Sequence, residues 1–292
     1  MNRAGALIFA GVLTATGAAA QEVAYADLDR GPVGTSICPG GMCGSAGLTP
    51  LFEALAATEA GERKTPVLIL QAGDSHTAGG KISGKLRARL QMRFGYGAML
   101  TADAPEPIDA PGVRLIEAGE VGATLTGFAT GKPALPSAGS AVLTILAFGT
   151  NDGFDDGLDP VVFEALLRNQ VEGLRKDGAA VLILGAPDAL RTGSGGGCSA
   201  DGLRAPPANL AVVRDVQRRV AAELGVAFWD WHGRMGGDCS ADRLALRADP
   251  FMRGDRVHFT AAGADWIGGV LADDLLAAYD AWKASQGPGS IR

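Results

Sequence analysis

Five short apolar runs alternate along this chain with longer segments whose apolar residues recur at helical spacing. The runs are mostly consecutive apolar residues, as expected of parallel strands that are buried on both faces. They lie at 67–72, 113–118, 142–148, 180–185 and 226–230. The segment after the first run has Ile82, Leu86, Leu90 and Phe94 at four-residue spacing, and further helices are predicted at 160–176, 209–224 and 260–284. This alternation predicts an α/β fold in which a parallel five-stranded sheet has helices on both faces.

The segments around this domain have a different character. Residues 1–20 have a short basic start, an apolar stretch and a run of alanines before Gln21, which is the pattern of a secretory signal peptide. An uncleaved membrane anchor is the alternative, although the apolar stretch is short for a span. We therefore predict a cleaved signal at 1–20, a loop-rich flank at 21–66 with one helix at 49–59, the main domain at 67–285 and a tail at 286–292.

Composition narrows the classes of partner. The 292 residues are 47% hydrophobic and 20% charged, which is typical of a globular chain, and the net charge is -6. The charged positions are interspersed, and no basic stripe suggests nucleic acid or an anionic membrane surface. We predict a periplasmic or secreted protein with no nucleic-acid partner and no stable membrane insertion after signal cleavage. The sequence makes no prediction of oligomeric state.

Four cysteines lie in loop-like segments. Export to an oxidising compartment favours disulfides over free thiols. Of the three possible pairings we favour Cys38 with Cys43 and Cys198 with Cys239. A zinc site is the weaker alternative, because the chain has no paired Cys-x-x-Cys motifs and only three histidines.

A serine follows the first strand, and an Asp-x-x-His motif lies near the end of the chain. Ser75 belongs to the sequence Gly-Asp-Ser-His, and Asp255 and His258 follow in the order Ser…Asp…His. A serine hydroxyl is a weak nucleophile until an imidazole accepts its proton, and the imidazole needs a partner that fixes its tautomer. Each motif alone is also ordinary turn or helix-start chemistry. Together they predict a catalytic triad.

Two further strand ends have groups that suit an oxyanion hole. Gly122 follows the second strand and Asn151, in Gly-Thr-Asn-Asp, follows the third; strand-terminating turns are the alternative interpretation. With the Ser75 backbone N–H, the Gly122 N–H and the Asn151 amide would donate to a developing negative charge. His76, Trp229 and Trp231 are candidate substrate contacts. A structural role is the alternative for His76, and a buried role is the alternative for one of the two tryptophans. We predict no metal and no other cofactor.

Four sequence blocks resemble those of the SGNH (GDSL) hydrolase superfamily. They are the serine in Gly-Asp-Ser, the glycine after the second strand, the asparagine in Gly-x-Asn-Asp and the histidine in Asp-x-x-His. The resemblance implies a three-layer, flavodoxin-like fold and metal-independent ester hydrolysis, with Ser75 as nucleophile, His258 as base and Asp255 as its orienting partner. It also implies the oxyanion hole of Ser75, Gly122 and Asn151. A narrower similarity, to bacterial peptidoglycan O-acetylesterases, rests on the segments 73–77, 93–97, 228–231, 235–237 and 257–263.

The combined interpretation is a serine esterase that removes acetyl groups from an envelope glycan, with O-acetylated peptidoglycan as the expected substrate. The loops at 95–112, 119–140, 186–208 and 232–254 are rich in Gly, Ala, Pro and Asp, which favours an open groove and acetyl over longer acyl chains. A general short-chain esterase, a glycan O-acetyltransferase and a non-catalytic envelope-binding protein on the same scaffold are the alternatives.

Overall fold

A computed structural model describes residues 31–99, 108–135, 141–176, 178–193 and 197–287. Its central feature is a seven-stranded sheet in the order β1-β9-β6-β5-β2-β4-β3, and β7 and β8 form a separate antiparallel pair. The strands are β1 Met42–Cys43, β2 Val67–Gly73, β3 Tyr96–Met99, β4 Ile108–Gly119, β5 Leu143–Ala147, β6 Ala180–Leu184, β7 Arg191–Thr192, β8 Arg204–Ala205 and β9 Ala227–Trp229.

The five predicted strands are confirmed as β2, β4, β5, β6 and β9, and they pair in parallel. The predicted number of strands is wrong, because β1 and β3 add an antiparallel strand at each edge. These edge strands are only two and four residues long. Strands this short have no measurable periodicity, so the apolar pattern could not identify them.

Helices cover both faces of the sheet. They are α1 Thr49–Glu59, α2 Ser75–Ala78, α3 Lys81–Phe94, α4 Leu125–Ala129, α5 Thr150–Phe154, α6 Pro160–Arg175, α7 Ala208–Leu224, α8 Trp231–Arg234, α9 Ser240–Ala245 and α10 Ala261–Ser285. The long predicted helices are confirmed with ends within one residue of those expected. The short helices α2, α4 and α5 begin at or near the carboxyl ends of strands, where the predicted site residues lie.

Alternate residues of the inner strands point to two separate cores. In β6, Leu182 packs into a core with α1, α3 and α10, whereas Val181 and Ile183 pack into a second core with α6 and α7. This alternation follows from the two-residue side-chain period of a strand. The result is the predicted three-layer arrangement, with a sheet buried on both faces.

Two disulfides join Cys38 to Cys43 and Cys198 to Cys239, which confirms the predicted pairing. The first closes the turn that leads into β1. The second attaches the segment before β8 to the first turn of α9. The predicted signal peptide lies outside the described residues, and the domain boundaries stay predictions. In the described part of the chain, no helix is both long and apolar enough to span a bilayer.

Candidate active site

The nucleophile loop, residues 73–79, turns sharply at the end of β2. A side chain at Gly73 would lie 2.7 Å from the Ala147 carbonyl oxygen, so a close approach of two strands requires glycine here. Asp74 then caps α2, because its Oδ1 accepts the His76 backbone N–H at 2.9 Å. Ser75 is therefore the first residue of a helix and lies directly beyond an inner strand.

The acid–base loop, residues 253–258, brings a histidine and a carboxylate to that serine. Ser75 Oγ lies 3.0 Å from His258 Nε2, and His258 Nδ1 lies 2.9 Å from Asp255 Oδ2. Asp255 Oδ1 accepts the backbone N–H groups of Val257 and His258, both at 2.9 Å. Partial burial alone would raise the pKa of Asp255, but these hydrogen bonds outweigh it and the pKa is lowered. Asp255 is thus held as an anion that orients the imidazole.

Distant residues hold the acid–base loop in place. Arg256 has a left-handed backbone conformation with φ of 60°, and its Nε donates to Asp242 Oδ1 at 2.9 Å. The Arg256 carbonyl oxygen accepts the Leu190 N–H at 3.0 Å, and Arg204 Nη1 donates to the Asp255 carbonyl oxygen at 3.3 Å. These contacts could not be predicted from the sequence, because no local pattern joins residues from four different segments.

The two predicted oxyanion donors flank the same edge of the sheet. Gly122 has φ of +79°, and the space where a side chain would extend is open. Asn151 lies in α5, where its Nδ2 donates one hydrogen bond to the Ala123 carbonyl oxygen at 2.9 Å. An amide nitrogen has two N–H groups, so this bond orients Asn151 and leaves a second donor. The bond also connects the loop after β4 to the loop after β5.

Asp152, predicted only as part of the turn after β5, is a buried carboxyl group. It is 4% exposed, and its Oδ1 accepts the Leu125 N–H at 3.0 Å. Its Oδ2 is buried with no hydrogen-bond partner among the described residues. Burial raises the pKa of Asp152 to about 6, although the hydrogen bond from Leu125 acts in the opposite direction. The sequence feature that could have identified Asp152 is its position directly after Asn151.

The structure corrects the prediction of substrate contacts. Trp229 and Trp231 are 0% and 3% exposed, so neither side chain can stack on a sugar. The Trp229 Nε1–H donates to Asp274 Oδ2 at 2.8 Å, and Trp231 packs against the Phe259 ring. His76 is 7% exposed and forms hydrogen bonds within the protein. Both tryptophans are therefore buried, where a buried role was the alternative for one of them, and His76 has the structural role that was its alternative.

One group of side chains in the described residues could hold a metal ion. Asp188, His232 and Asp238 place their ligand atoms within 4.8 Å of one another. Without a metal, His232 Nε2 lies 2.9 Å from Asp238 Oδ1, and Asp188 Oδ2 accepts the Ala241 N–H at 2.9 Å. None of these three residues hydrogen-bonds to the Ser75, His258 and Asp255 side chains.

The fold and the motif spacing define the class of protein. Residues 72–266, about two thirds of the chain, match the sequence profile of the GDSL-like lipase/acylhydrolase family. The chain belongs to this family and has the SGNH hydrolase fold, and by that membership it is a carboxylic ester hydrolase. The predicted superfamily is therefore confirmed.

Solved structures with the same fold include several esterases. The chain is similar to a peptidoglycan O-acetylesterase with a TM-score of 0.68 and 22% identity over 84% of this chain and 99% of that one. It is also similar to an acetylxylan esterase from Geobacillus stearothermophilus, with a TM-score of 0.51 and 17% identity over 74% of this chain and 95% of that one. No curated protein matches the chain by sequence.

Proposed function

We propose that this protein is an exported serine esterase that removes acetyl groups from an envelope glycan, namely O-acetylated peptidoglycan. The observation that carries the proposal is the continuous hydrogen-bonded series from Ser75 Oγ through the His258 ring to Asp255, with distances of 3.0 and 2.9 Å. A serine, an imidazole and a carboxylate in this geometry form an activated nucleophile. The two disulfides agree with an oxidising compartment outside the cytosol.

In the proposed reaction, His258 Nε2 accepts the Ser75 hydroxyl proton while Oγ attacks the acetyl carbonyl carbon. The carbonyl oxygen becomes negatively charged, and the backbone N–H groups of Ser75 and Gly122 and the amide of Asn151 donate to it. The bond to the sugar oxygen then breaks, and that oxygen takes the proton from His258. Asp255 stays ionised and stabilises the imidazolium.

The second half of the reaction regenerates the enzyme. Water attacks the acetyl-Ser75 ester, transferring its proton to His258 Nε2. The bond to Oγ breaks, Ser75 regains a proton from His258, and acetate leaves. Each proton moves between Ser75, His258 and the reacting oxygens, so these residues need no metal-bound water.

Two observations support an acetylated cell-wall glycan as substrate. Among the similar structures described above, the peptidoglycan O-acetylesterase aligns over more of this chain than the acetylxylan esterase, with the higher TM-score. Gly122 and residues 253–255 of the acid–base loop are exposed, and His258 is half-buried, which is compatible with access by a long polymer. Deacetylation of peptidoglycan is therefore preferred over deacetylation of xylan.

The test is acetate release from purified O-acetylated peptidoglycan by the protein without residues 1–20. Peptidoglycan that has been chemically de-O-acetylated and the Ser75→Ala variant are the matched controls. Acetylated xylan and 4-nitrophenyl esters of acetate and octanoate serve as competing substrates. Acetate release from peptidoglycan that depends on Ser75 is the expected result.

Other outcomes assign other functions. Release from xylan only, or faster turnover of octanoate than acetate, would replace the peptidoglycan proposal with a different esterase. Acetyl transfer to an added glycan acceptor in preference to water would identify a transferase. Absence of hydrolysis of every ester by a folded protein would favour a binding function.

A further inference from the structure

His76 and Ser75 are adjacent residues in the nucleophile loop, and they contact adjacent residues in the acid–base loop. Ser75 Oγ lies 3.0 Å from His258 Nε2, and His76 Nε2 lies 3.0 Å from the Val257 carbonyl oxygen. The other ring nitrogen of His76, Nδ1, lies 3.0 Å from Asp74 Oδ1. The buried ring therefore connects the residue before the nucleophile to the residue before the base.

Both ring nitrogens of His76 face oxygen atoms that accept hydrogen bonds. The Val257 carbonyl oxygen can only accept, and an ionised Asp74 carboxylate can only accept. A neutral imidazole has one N–H and one lone pair, so one of the two contacts would place a lone pair against an oxygen. An imidazolium has two N–H groups and satisfies both contacts.

We propose that His76 is held as an imidazolium that connects the nucleophile loop to the acid–base loop and thereby positions Ser75 Oγ against His258 Nε2. His76 is a positioning residue, since its hydrogen bonds are to Asp74 and Val257. This proposal rests on the proposed function, because the alignment of Ser75 with His258 matters only if the two residues carry out ester hydrolysis.

The charges around His76 favour this state. Burial alone would lower the pKa of His76, but the charge and hydrogen bond of Asp74, with the Val257 carbonyl and the charge of Asp255, outweigh it and raise the pKa. A second titratable ring, that of His258, lies 5.7 Å away between ring centroids. The rings of Trp231 and Phe259 also lie beside His76, at 5.4 and 5.9 Å between ring centroids.

A neutral arrangement is the competing account. The Asp74 carboxyl group would hold the proton and donate it to Nδ1, and Nε2–H would donate to Val257. Asp74 Oδ1, however, also accepts the His76 backbone N–H at 2.9 Å, and two donors on one oxygen favour the carboxylate. The two accounts differ in the protonation of Nδ1, which nuclear magnetic resonance measures directly.

The first experiment records ¹H–¹⁵N spectra of the imidazole nitrogens between pH 5 and 8.5. The chain has three histidines, so the His76→Gln variant suffices to assign the ring. Both nitrogens of His76 are expected to be protonated at pH 7, and Asp74→Asn, which keeps an acceptor for the backbone N–H, should make the ring neutral at that pH. A ring with one bare nitrogen at pH 7 in the wild-type protein would overturn the imidazolium.

The second experiment separates positioning from packing. His76→Phe keeps a ring against Trp231 and Phe259 without N–H groups, whereas His76→Gln can still donate to Val257. On 4-nitrophenyl acetate we expect kcat to fall about 10²-fold for His76→Phe with KM little changed, because small displacements of reacting groups have effects of this size. The Gln variant should recover part of this loss at a similar Tm.

A folded His76→Phe protein with wild-type kcat would overturn the positioning role, as would losses that simply follow the fall in Tm for both variants. A wild-type protein that hydrolyses no ester would refute the proposed function and the positioning role together. The spectra would still report the charge on His76 in that case, so the two failures are distinguishable.

Discussion

The nucleophile loop and the acid–base loop reach the same site by different structural routes. Ser75 lies two residues beyond β2, an inner strand that pairs with β4 and β5 along its length. His258 lies in a loop closed by the Met252–Phe259 bridge, and this loop follows no strand of the central sheet. The sheet itself positions the nucleophile, whereas the base depends on contacts from elsewhere in the chain.

This difference predicts how each loop responds to mutation. Around Ser75 and Asn151, the backbone directly follows paired strands, so its position depends less on side chains from distant segments. Around His258, the backbone is fixed by Asp242, Leu190, Arg204 and His76. Loss of a distant contact should therefore impair the base more than the nucleophile.

The largest effect on turnover is expected from removing the side chain of either Ser75 or His258. Ser75→Ala and His258→Ala should each reduce turnover by about 10⁶-fold, and the double variant should be little worse, because the members of a triad act as a unit. Initial rates on 4-nitrophenyl acetate measure this. His232→Ala is the matched control, since His232 pairs with Asp238 at the surface. A greater loss in the control than in His258→Ala would mean that the base has been misassigned.

The same difference explains which features could be predicted from the sequence. Ser75, Gly122 and Asn151 follow long apolar runs, so the carboxyl edge of a parallel sheet brings them together. Asp255 and His258 were recognised by their motif, not by their place in the sheet. The Arg256–Asp242 contact and the burial of Trp229 depend on tertiary packing, which no local pattern encodes.

Removal of each disulfide in turn tests whether the bond between Cys198 and Cys239 also supports the acid–base loop. Cys198 and Cys239 are 41 residues apart, whereas Cys38 and Cys43 are 5 apart. A longer closed loop restricts the unfolded chain more. Replacing Cys198 and Cys239 by serine should therefore cost about 4 kcal/mol of stability, and replacing Cys38 and Cys43 about 2 kcal/mol. Urea unfolding measures both.

The Cys198 and Cys239 variant should also lose activity, since Cys239 precedes α9, which contains Asp242. Mass spectrometry of the unreduced exported protein should find no free thiol. Four titratable thiols, or a larger cost for the shorter loop, would contradict the prediction.

Asn151→Ala tests an oxyanion donor that lies just beyond the end of a strand, as Ser75 does. Loss of one oxyanion donor should lower kcat by about 10²–10³-fold. The fold should persist, because the sheet is held by its strand pairing and the Asn151 side chain contributes one hydrogen bond, to the Ala123 carbonyl oxygen. Thermal unfolding is the control measurement. A fall in Tm large enough to explain the lost activity would favour the ordinary turn interpretation of Gly-Thr-Asn-Asp.

Asp152, the next residue, should make stability depend on pH. Its pKa is about 6 in the folded protein, above its ordinary value, so the unfolded chain ionises first as the pH rises. The stability contributed by protonated Asp152 is therefore fully present below about pH 4 and is lost as the pH rises through 6, by about 3 kcal/mol in total. Asp152→Asn should remove this loss and be more stable than wild type at pH 8 but not at pH 4. Asp215→Asn, at an exposed carboxylate, is the matched control for the loss of one negative charge.

The smallest expected effect tests the distant support of the base most directly. Asp242→Asn leaves Arg256 Nε without its charged partner, and a hydrogen bond between charged groups contributes about 2 kcal/mol to stability. Because Arg256 has a left-handed backbone between Asp255 and His258, release of its side chain should displace the base and lower kcat, with KM nearly constant. Asp238→Asn is the matched control, since it removes an exposed partner of His232 from the same segment, and surface pairs contribute little. Inactivation of Ser75 by a small organophosphate, a reaction that also needs the base, should slow in Asp242→Asn and not in Asp238→Asn. Equal inactivation rates in the two variants would mean that the acid–base loop is held by its own bridge and not by contacts from distant segments.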